Sequence, residues 1–281
     1  MHSRRIKGAI QSLWVLTLLS LIACQTRPEI SERSHPPESR SHAHNDYEHS
    51  RPLMDALEKG FSSVEADVHL VDGALLVAHD ADEVTPSRTL QNLYLDPLRA
   101  RFRENHGKLT PSGAPLILLI DFKTPGEATY RALEPVLKNY RKLLTSYHGG
   151  VVLPGAISII ISGNRPTEIL AKQTHRLAAI DGRLPDMQRR DLPVSLIPLI
   201  SDDWKKHFEW RGESEISPLE LQKLQTLVNV AHRQGRLIRF WGNPDQESYW
   251  QLAQQTGVDL INTDDLAGLS SFLRRTGPHI E

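Results

Sequence analysis

Two carboxylates and a histidine alternate with small or apolar residues in the segment Ser63–His69, Ser-Val-Glu-Ala-Asp-Val-His. Successive side chains of a strand point to opposite faces, so Glu65, Asp67 and His69 would share one face. The two carboxylates would then lie about 7 Å apart along the strand. Like charges held that close in a folded interior are costly unless a positive group compensates them. A bound divalent cation would do so, and the pattern therefore predicts a metal site; a solvated edge strand is the alternative.

A third carboxylate follows the apolar run Leu116–Ile120. A run of this kind is typical of a strand buried on both faces. Asp121 comes where such a strand would leave the core, and Lys123 shares its face. This placement favours a catalytic or metal-binding role for Asp121, whereas a structural Asp–Lys pair is the alternative.

Histidines also collect near predicted strand ends. The sequence contains 13 histidines, and His42, His44 and His49 fall within one short segment. His79, followed by Asp80, ends another apolar run. Histidine gains and loses a proton near neutral pH. Two histidines at strand ends near three carboxylates therefore predict a general acid–base pair.

Alternating strands and helices would have to position these side chains. Apolar, β-branched runs predict strands at Ser63–His69, Leu75–His79, Leu116–Asp121, Ala156–Ser162, Leu177–Asp181, Val194–Ser201, Leu237–Trp241 and Val258–Asn262, after a first strand that ends near His42. Helical periodicity predicts helices at Arg51–Gly60, Gly126–Tyr147, Arg165–Thr174, Pro218–Gln234, Pro244–Gly257 and Asp264–Arg275. The stretch Ala81–Ala114 has no clear periodicity and is predicted to be a long excursion over one face of the fold.

This alternation indicates a parallel sheet with crossover helices. About 240 residues with roughly eight strands fit an α/β fold of one domain, a (β/α)8 TIM barrel. A doubly wound open sheet is the alternative. No Gly-x-Gly-x-x-Gly follows a predicted strand, which disfavours dinucleotide binding.

The start of the chain has the order of a bacterial export signal. Basic residues that include Arg4 and Lys7 precede the apolar stretch Leu13–Ile22, and Ala-Cys follows. The ending Leu-Ile-Ala-Cys resembles a lipobox, which predicts lipidation of Cys24. A plain secretory signal with a chance cysteine is the alternative.

These features divide the chain into a lipoprotein signal peptide at 1–23, a flexible tether at 24–39 and the TIM barrel at 40–275. The expected location is the bacterial cell envelope, with a lipid anchor in the membrane. Because Gln25 rather than Asp follows the cysteine, we expect the outer membrane in a Gram-negative host.

Composition excludes several other classes of protein. The 281 residues carry a net charge of −1, so no basic excess is present to neutralise nucleic-acid phosphates, and no nucleic-acid partner is expected. A single cysteine excludes a disulfide within the chain. The oligomeric state is not indicated by the sequence.

Four motifs in order resemble those of a known superfamily. They are His44-Asn45, Glu65-x-Asp67, His79-Asp80 and Ile120-Asp121-Phe122-Lys123. The set resembles the glycerophosphodiester phosphodiesterase-like superfamily, which includes phosphatidylinositol-specific phospholipase C and sphingomyelinase D-type enzymes. Later stretches, Arg239-Phe240-Trp241 and Gly257–Asp264, resemble the seventh and last strands of that fold. The form His-Asn-Asp-Tyr is most similar to the phospholipase C-like members.

The resemblance implies a metal-dependent phosphodiester hydrolase acting on a small-molecule or lipid phosphodiester. It implies Mg²⁺ or Ca²⁺ held by Glu65, Asp67 and Asp121, in agreement with an all-oxygen ligand set. It further implies that His44 and His79 are the catalytic acid–base pair.

The same resemblance places Asn45 and Lys123 at positions that bind the substrate phosphate. The main family has an arginine after the first histidine, and Asn45 stands there in this sequence. The missing positive charge must then come from the metal, from Lys123 or from another residue such as Arg51.

Two other functions are compatible with the sequence. His42-x-His44 resembles the zinc motif of amidohydrolase barrels, and Asp264 could supply their last carboxylate, but the middle strands end without histidines. A catalytically inactive barrel that binds a ligand at the envelope is the other. Bound zinc would favour the amidohydrolase interpretation. Absence of phosphodiester turnover would favour the inactive binding barrel.

Overall fold

A computed structural model of the chain describes residues 40–110 and 113–277. These residues belong to the unit His35–Glu281. Cys24 and the predicted signal and tether segments lie outside the described residues, so the predicted boundaries stay predictions. No helix of the described part is long and apolar enough to cross a membrane.

Twelve strands occur in this part of the chain. They are β1 (Ser41–Ala43), β2 (Ser63–Val71), β3 (Ala74–Val77), β4 (Leu116–Phe122), β5 (Ser146–His148), β6 (Val151–Leu153), β7 (Ile157–Gly163), β8 (His175–Arg176), β9 (Ala178–Gly182), β10 (Leu199–Asp203), β11 (Leu237–Trp241) and β12 (Leu260–Thr263).

Eight α-helices occur in the same residues. They are α1 (Met54–Glu58), α2 (Asp96–Glu104), α3 (Gly126–Lys138), α4 (Thr167–Lys172), α5 (Trp204–His207), α6 (Pro218–Arg233), α7 (Glu247–Thr256) and α8 (Leu266–Thr276). Short 3₁₀ turns lie at Asp46–Glu48 and Leu184–Gln188, and a π-helical turn at Gln91–Leu95 precedes α2.

Eight of the strands form a closed parallel ring in the order β1, β2, β4, β7, β9, β10, β11 and β12. The short strand β1 closes it, because His42 pairs with Ser63 of β2 on one side and with Asn262 of β12 on the other. The fold is therefore the predicted (β/α)8 TIM barrel. In this architecture, functional side chains collect at the carboxyl ends of the strands.

The barrel core has two layers, as strands buried on both faces require. Inside the ring, Leu119, Ile160, Leu199 and Leu260 pack together. A much larger apolar cluster joins the outer faces of the strands to the helices. This apolar interior lies below the polar carboxyl ends of the strands, so the polar side chains there pack against a well-packed apolar layer.

Strand register sets the row of side chains at the carboxyl end of the ring. Asp67 of β2 pairs with Asp121 of β4, and Asp121 pairs with Ser162 of β7. Ile161 of β7 pairs with Ile180 of β9. Asp181, the residue after Ile180, therefore extends the row next to Ser162.

The predicted strand at Leu75–His79 differs from the structure. Strand β3 pairs antiparallel with β2 and is not a member of the ring. The connection is a two-residue turn, Asp72-Gly73, in which both residues have positive φ angles, 48° and 81°. Turns of this kind join neighbouring strands of a hairpin, and an Asp-Gly pair favours them.

Two other predictions needed correction. The helix predicted at Gly126–Tyr147 ends at Lys138, and Ser146–His148 forms β5 instead. Periodicity alone cannot assign short apolar runs, because a helix and a strand can both bury them. The predicted excursion at Ala81–Ala114 contains α2, whose many charged residues hide its helical pattern.

Candidate active site

Three carboxylates meet at the carboxyl end of the ring. Glu65, Asp67 and Asp121 each place an oxygen atom within 4.8 Å of the other two. Glu65 is 5% exposed and Asp67 is completely buried. The Oδ1 atom of Asp67 is buried and has no hydrogen-bond partner in the described part. A buried, unpartnered oxygen among close carboxylates fits a hard divalent cation, which takes oxygen ligands.

Lys123 lies between two of these carboxylates. Its Nζ is 2.9 Å from Asp67 Oδ2 and 3.2 Å from Asp121 Oδ1. Burial alone would lower the pKa of Lys123, but the charges of Asp121 and Asp67 outweigh it and raise the pKa. Lys123 therefore stays protonated at neutral pH. The Asp121–Lys123 ion pair, which the sequence offered as the structural alternative, is present, and Lys123 also pairs with Asp67.

A buried arginine balances the negative charge of Glu65, the third carboxylate of the cluster. Arg239, on β11, is 2% exposed, and its Nη1 donates to Glu65 Oε2 at 2.7 Å. Burial would raise the pKa of Glu65, but the Arg239 charge and a hydrogen bond with His42 hold it well below its usual range.

Arg239 was not among the predicted site residues. Strand alternation offered a signal, since Leu237, Arg239 and Trp241 share one face of β11. Nothing in the sequence alone brings that face to Glu65.

His42 is a buried partner of this ion pair. Its Nδ1 lies 2.7 Å from Ser63 Oγ, and its Nε2 contacts both Glu65 and Arg239. Burial, and then the Arg239 charge, lower the pKa of His42 to about 3, so the ring is neutral. Because both ring nitrogens are engaged by protein groups, this arrangement does not favour the His42-x-His44 zinc pair.

His79 follows β3 and reaches back to the carboxylates. Its Nδ1 lies 3.2 Å from Asp67 Oδ2 and 3.2 Å from the Tyr47 hydroxyl. Tyr47 in turn donates to Asp67 Oδ2 at 2.8 Å. The side chain of His79 is 50% exposed, and its Nε2 makes no hydrogen bond with a described residue. The ring is therefore held at one nitrogen and open at the other.

His44 directly follows β1 and contacts the end of the neighbouring strand β12. Its backbone N–H donates to Thr263 of β12, and its Nδ1 is 2.8 Å from Asp264 Oδ1. Burial would lower the pKa of His44, but the hydrogen bond to Asp264 and the charge of Glu65 outweigh it and raise the pKa. No hydrogen bond or ion pair joins His44 to His79 in the described residues.

The two remaining phosphate-binding candidates make other contacts. Asn45 has a left-handed backbone, with φ of 45°, and its side chain donates to Glu48 at 3.4 Å. Arg51 is 56% exposed and pairs with Asp55 and Glu58. Neither Asn45 nor Arg51 makes a recorded hydrogen bond or ion pair with the three carboxylates, as far as the described chain extends.

A second polar cluster continues the row beyond Asp121. Ser162 Oγ donates to Asp181 Oδ2 at 2.8 Å, and Arg183 Nη1 pairs with the same oxygen at 2.9 Å. Arg165 Nη1 donates to the backbone carbonyl of Asp181 at 2.7 Å. None of these residues was among the predicted site residues, because the two strand endings lack histidine. A polar residue at the end of each strand, followed two or three residues later by arginine, was the available signal.

Relatives of similar sequence are fungal. The chain is 27% identical over 265 residues to altered inheritance of mitochondria protein 6 homolog of Arthroderma benhamiae, covering 82% of each chain. It is 29% identical over 269 residues to altered inheritance of mitochondria protein 6 of Eremothecium gossypii, covering 83% of this chain and 69% of that protein.

The expected bacterial, lipid-anchored envelope location is therefore wrong. These relatives are fungal proteins named for mitochondrial inheritance, not bacterial lipoproteins. The expectation depended on a short order of basic, apolar and small residues before Cys24. A pattern of residue types this short can arise by chance in an unrelated sequence.

Solved structures support the fold. The chain resembles a glycerophosphodiester phosphodiesterase of Parabacteroides distasonis with a TM-score of 0.52 and 17% identity, covering 86% of this chain and 99% of that chain. A glycerophosphoryl diester phosphodiesterase of the same organism gives a TM-score of 0.51 and 14% identity, with coverage of 85% and 87%. Likeness at this identity establishes the barrel architecture alone.

A sequence profile of the AIM6-like phosphodiesterase domain matches residues 33–181, which is more than half of the chain. The match includes the two strands that carry the three carboxylates. It also includes Lys123 and both candidate catalytic histidines, His44 and His79. It confirms the resemblance to the phosphodiesterase superfamily. The chain belongs to the AIM6-like phosphodiesterase family.

Proposed function

We propose that this protein is a metal-dependent phosphodiester hydrolase that acts on a glycerophosphodiester or phospholipid-type substrate. One observation carries the proposal: Glu65, Asp67 and Asp121 converge within 4.8 Å at the carboxyl end of the ring, beside Lys123. Three carboxylates and an ammonium suit a divalent cation together with an anionic ligand.

Glu65, Asp67 and Asp121 would hold the cation, which we infer to be Mg²⁺ or Ca²⁺ because every ligand is a carboxylate oxygen. When bound, such an ion polarises the non-bridging oxygens of a phosphodiester as a Lewis acid. Lys123, protonated between Asp67 and Asp121, adds a fixed positive charge where the phosphate would lie.

His44 is suited to the general base. The Asp264 carboxylate accepts from Nδ1–H of His44, which leaves Nε2 to take a proton and makes it more basic. In the proposed reaction His44 removes the proton of a substrate hydroxyl, whose oxygen then bonds to phosphorus.

His79 is suited to the general acid. Its Nδ1 is fixed by Asp67 and Tyr47, and its Nε2 is available to donate. As the phosphorus bond to the leaving oxygen breaks, His79 gives that oxygen its proton. The product is a cyclic phosphate, which water can then open with the two histidines in reversed roles.

The test is a turnover screen over glycerophosphodiesters, phosphatidylinositol, lysophospholipids and sphingomyelin, with Mg²⁺, Ca²⁺ or Zn²⁺ added to chelator-treated protein. We expect turnover with Mg²⁺ or Ca²⁺, and loss of that turnover in Asp121→Asn. Asp191→Asn is the matched control, because Asp191 pairs with Arg189 on the surface.

Full turnover in excess chelator would contradict the metal dependence. Absence of turnover across the whole panel, with folded protein that binds Mg²⁺, would contradict the hydrolase function and favour a binding role. Activity that only Zn²⁺ restores would favour the amidohydrolase interpretation.

A further inference from the structure

Arg183 follows β9, two strands beyond Asp121 in the ring, and its side chain reaches back to the intervening strand β7. The row of paired residues runs from Asp67 through Asp121 to Ser162, and Arg183 Nη2 donates to Ser162 Oγ at 3.3 Å. Neighbouring strands lie about 4.8 Å apart. One phosphate group could therefore contact both the guanidinium that is hydrogen-bonded to Ser162 and a cation held by Asp121. The arginine therefore borders the space above the carboxylates.

The protein fixes this guanidinium at one nitrogen. Arg183 Nη1 donates to Asp181 Oδ2 at 2.9 Å and to the backbone carbonyl of Gly182 at 3.0 Å. Asp181 is completely buried, so its carboxylate is a rigid anchor. A side chain anchored in this way loses little conformational freedom when it binds a ligand.

The opposite edge of the same guanidinium is open. Nη2 has only the long contact to Ser162, and Nε makes no hydrogen bond within the described residues. The side chain is 25% exposed, so a ligand can reach it. The Nε–Nη2 edge presents two parallel N–H donors, the arrangement that binds two oxygens of a phosphate group.

A second arginine stabilises the loop that carries Arg183. Arg165 Nη1 donates to the Asp181 carbonyl at 2.7 Å and to Asp186 Oδ2 at 3.3 Å. Asp186 Oδ2 also accepts from the backbone N–H of Arg183 at 2.8 Å. These contacts fix the backbone at Asp181 and at Arg183, and with it the position from which the Arg183 side chain extends.

We propose that Arg183 binds the phosphoryl group of the substrate and supplies the positive charge that Asn45 cannot. Lys123 adds charge near the phosphate but is shared by Asp67 and Asp121, and Arg51 is paired on the surface. Arg183 instead keeps two donors for the ligand. The inference rests on the proposed phosphodiesterase function, and it names the residue that recognises the phosphodiester.

The first experiment measures binding of inorganic phosphate by calorimetry in Mg²⁺, using the full chain. We expect Arg183→Gln to weaken phosphate binding about tenfold to a hundredfold, the effect of losing hydrogen bonds to a charged group. Arg183→Lys should recover only part of the affinity, because an ammonium cannot bind bidentately. Arg189→Gln is the matched control, since Arg189 lies on the surface and pairs there with Asp191.

The second experiment separates soluble from membrane-borne phosphodiesters. We expect Arg183→Gln to raise KM for both glycerophosphocholine and phosphatidylinositol vesicles, whichever of the two is turned over, with a smaller change in kcat. Where both are turned over, a KM increase for the vesicles with an unchanged KM for glycerophosphocholine would indicate a surface contact and would overturn the phosphoryl-binding role; where one is turned over, an unchanged KM for that substrate would overturn it.

Thermal unfolding of each variant shows whether the fold is kept. Wild-type protein that does not bind phosphate, or Arg183→Gln that binds it as tightly as wild type, overturns the inference while turnover leaves the hydrolase proposal standing. Phosphate binding that depends on Arg183 in a protein without turnover supports the anion site and counts against the hydrolase function alone.

Discussion

Arg239 donates a hydrogen bond to Glu65 at 2.7 Å inside the barrel, although 174 positions separate the two residues in sequence. Both side chains are nearly inaccessible to water. The pair therefore keeps Glu65 ionised within a cluster of three carboxylates, and it fixes the direction of a candidate metal ligand.

Removal of this arginine should destabilise the fold. Arg239→Met leaves Glu65 buried beside the neutral His42 without a charged partner, so we expect the free energy of unfolding to fall by about 3–5 kcal/mol. Added Mg²⁺ should recover part of the loss, because a bound cation would compensate the same carboxylate and stabilise the native state.

Chemical denaturation with and without Mg²⁺ measures this effect. Arg275→Met is the control, because its pair with Glu247 is exposed at both side chains and should contribute at most about 1 kcal/mol. Equal stability of Arg239→Met and wild type would show that the buried pair is not needed.

The two candidate catalytic histidines should be needed for turnover and dispensable for the fold. We expect His44→Ala and His79→Ala each to lower kcat about 10²-fold or more, the usual contribution of general acid–base catalysis. Mg²⁺ binding should persist in both, because neither residue belongs to the carboxylate cluster. The exposed His148→Ala is the control. Near-wild-type turnover by His79→Ala, or loss of metal by His44→Ala, would show that these roles are wrong.

Asp264 should set the pH dependence of the reaction. Its hydrogen bond raises the pKa of His44, so Asp264→Asn should lower that pKa. A general base must be deprotonated to act, and the acidic limb of the kcat/KM profile should therefore move to lower pH in the variant. The maximum rate should also fall, because the imidazole loses its orienting partner. An unchanged acidic limb would mean that another group controls it.

Gly163 should tolerate no larger residue. It ends β7 with φ of +64°, and a Cβ atom there would lie 2.5 Å from Asp121 Oδ1 and 2.5 Å from the Phe122 carbonyl. Gly163→Ala should therefore both destabilise the protein and displace Asp121, weakening Mg²⁺ binding. Gly235→Ala has a similar positive φ but meets only a side-chain atom at 3.9 Å, so it is a matched control for backbone strain. Equal Mg²⁺ affinity in the two variants would contradict the role of Gly163.

Local patterns predicted much of the fold. Alternation within Ser63–His69 placed Glu65 and Asp67 on one face, and in the structure both residues of β2 belong to the carboxylate cluster. The antiparallel position of β3 was missed, although the Asp72-Gly73 turn that causes it is visible in the sequence. Strand periodicity gives the face of a residue but not the partner of its strand.

Sequence by itself determined which side chains are available at the strand ends: carboxylates at Glu65, Asp67 and Asp121, and histidines at His44 and His79. These depend on spacing over a few residues, which the backbone geometry of a strand fixes locally. Only the tertiary structure decided that Arg239 neutralises Glu65 and that Arg183 stands beside Ser162. Those contacts require the ring to close and its register to be set, and both depend on the packing of the whole barrel rather than on any one segment.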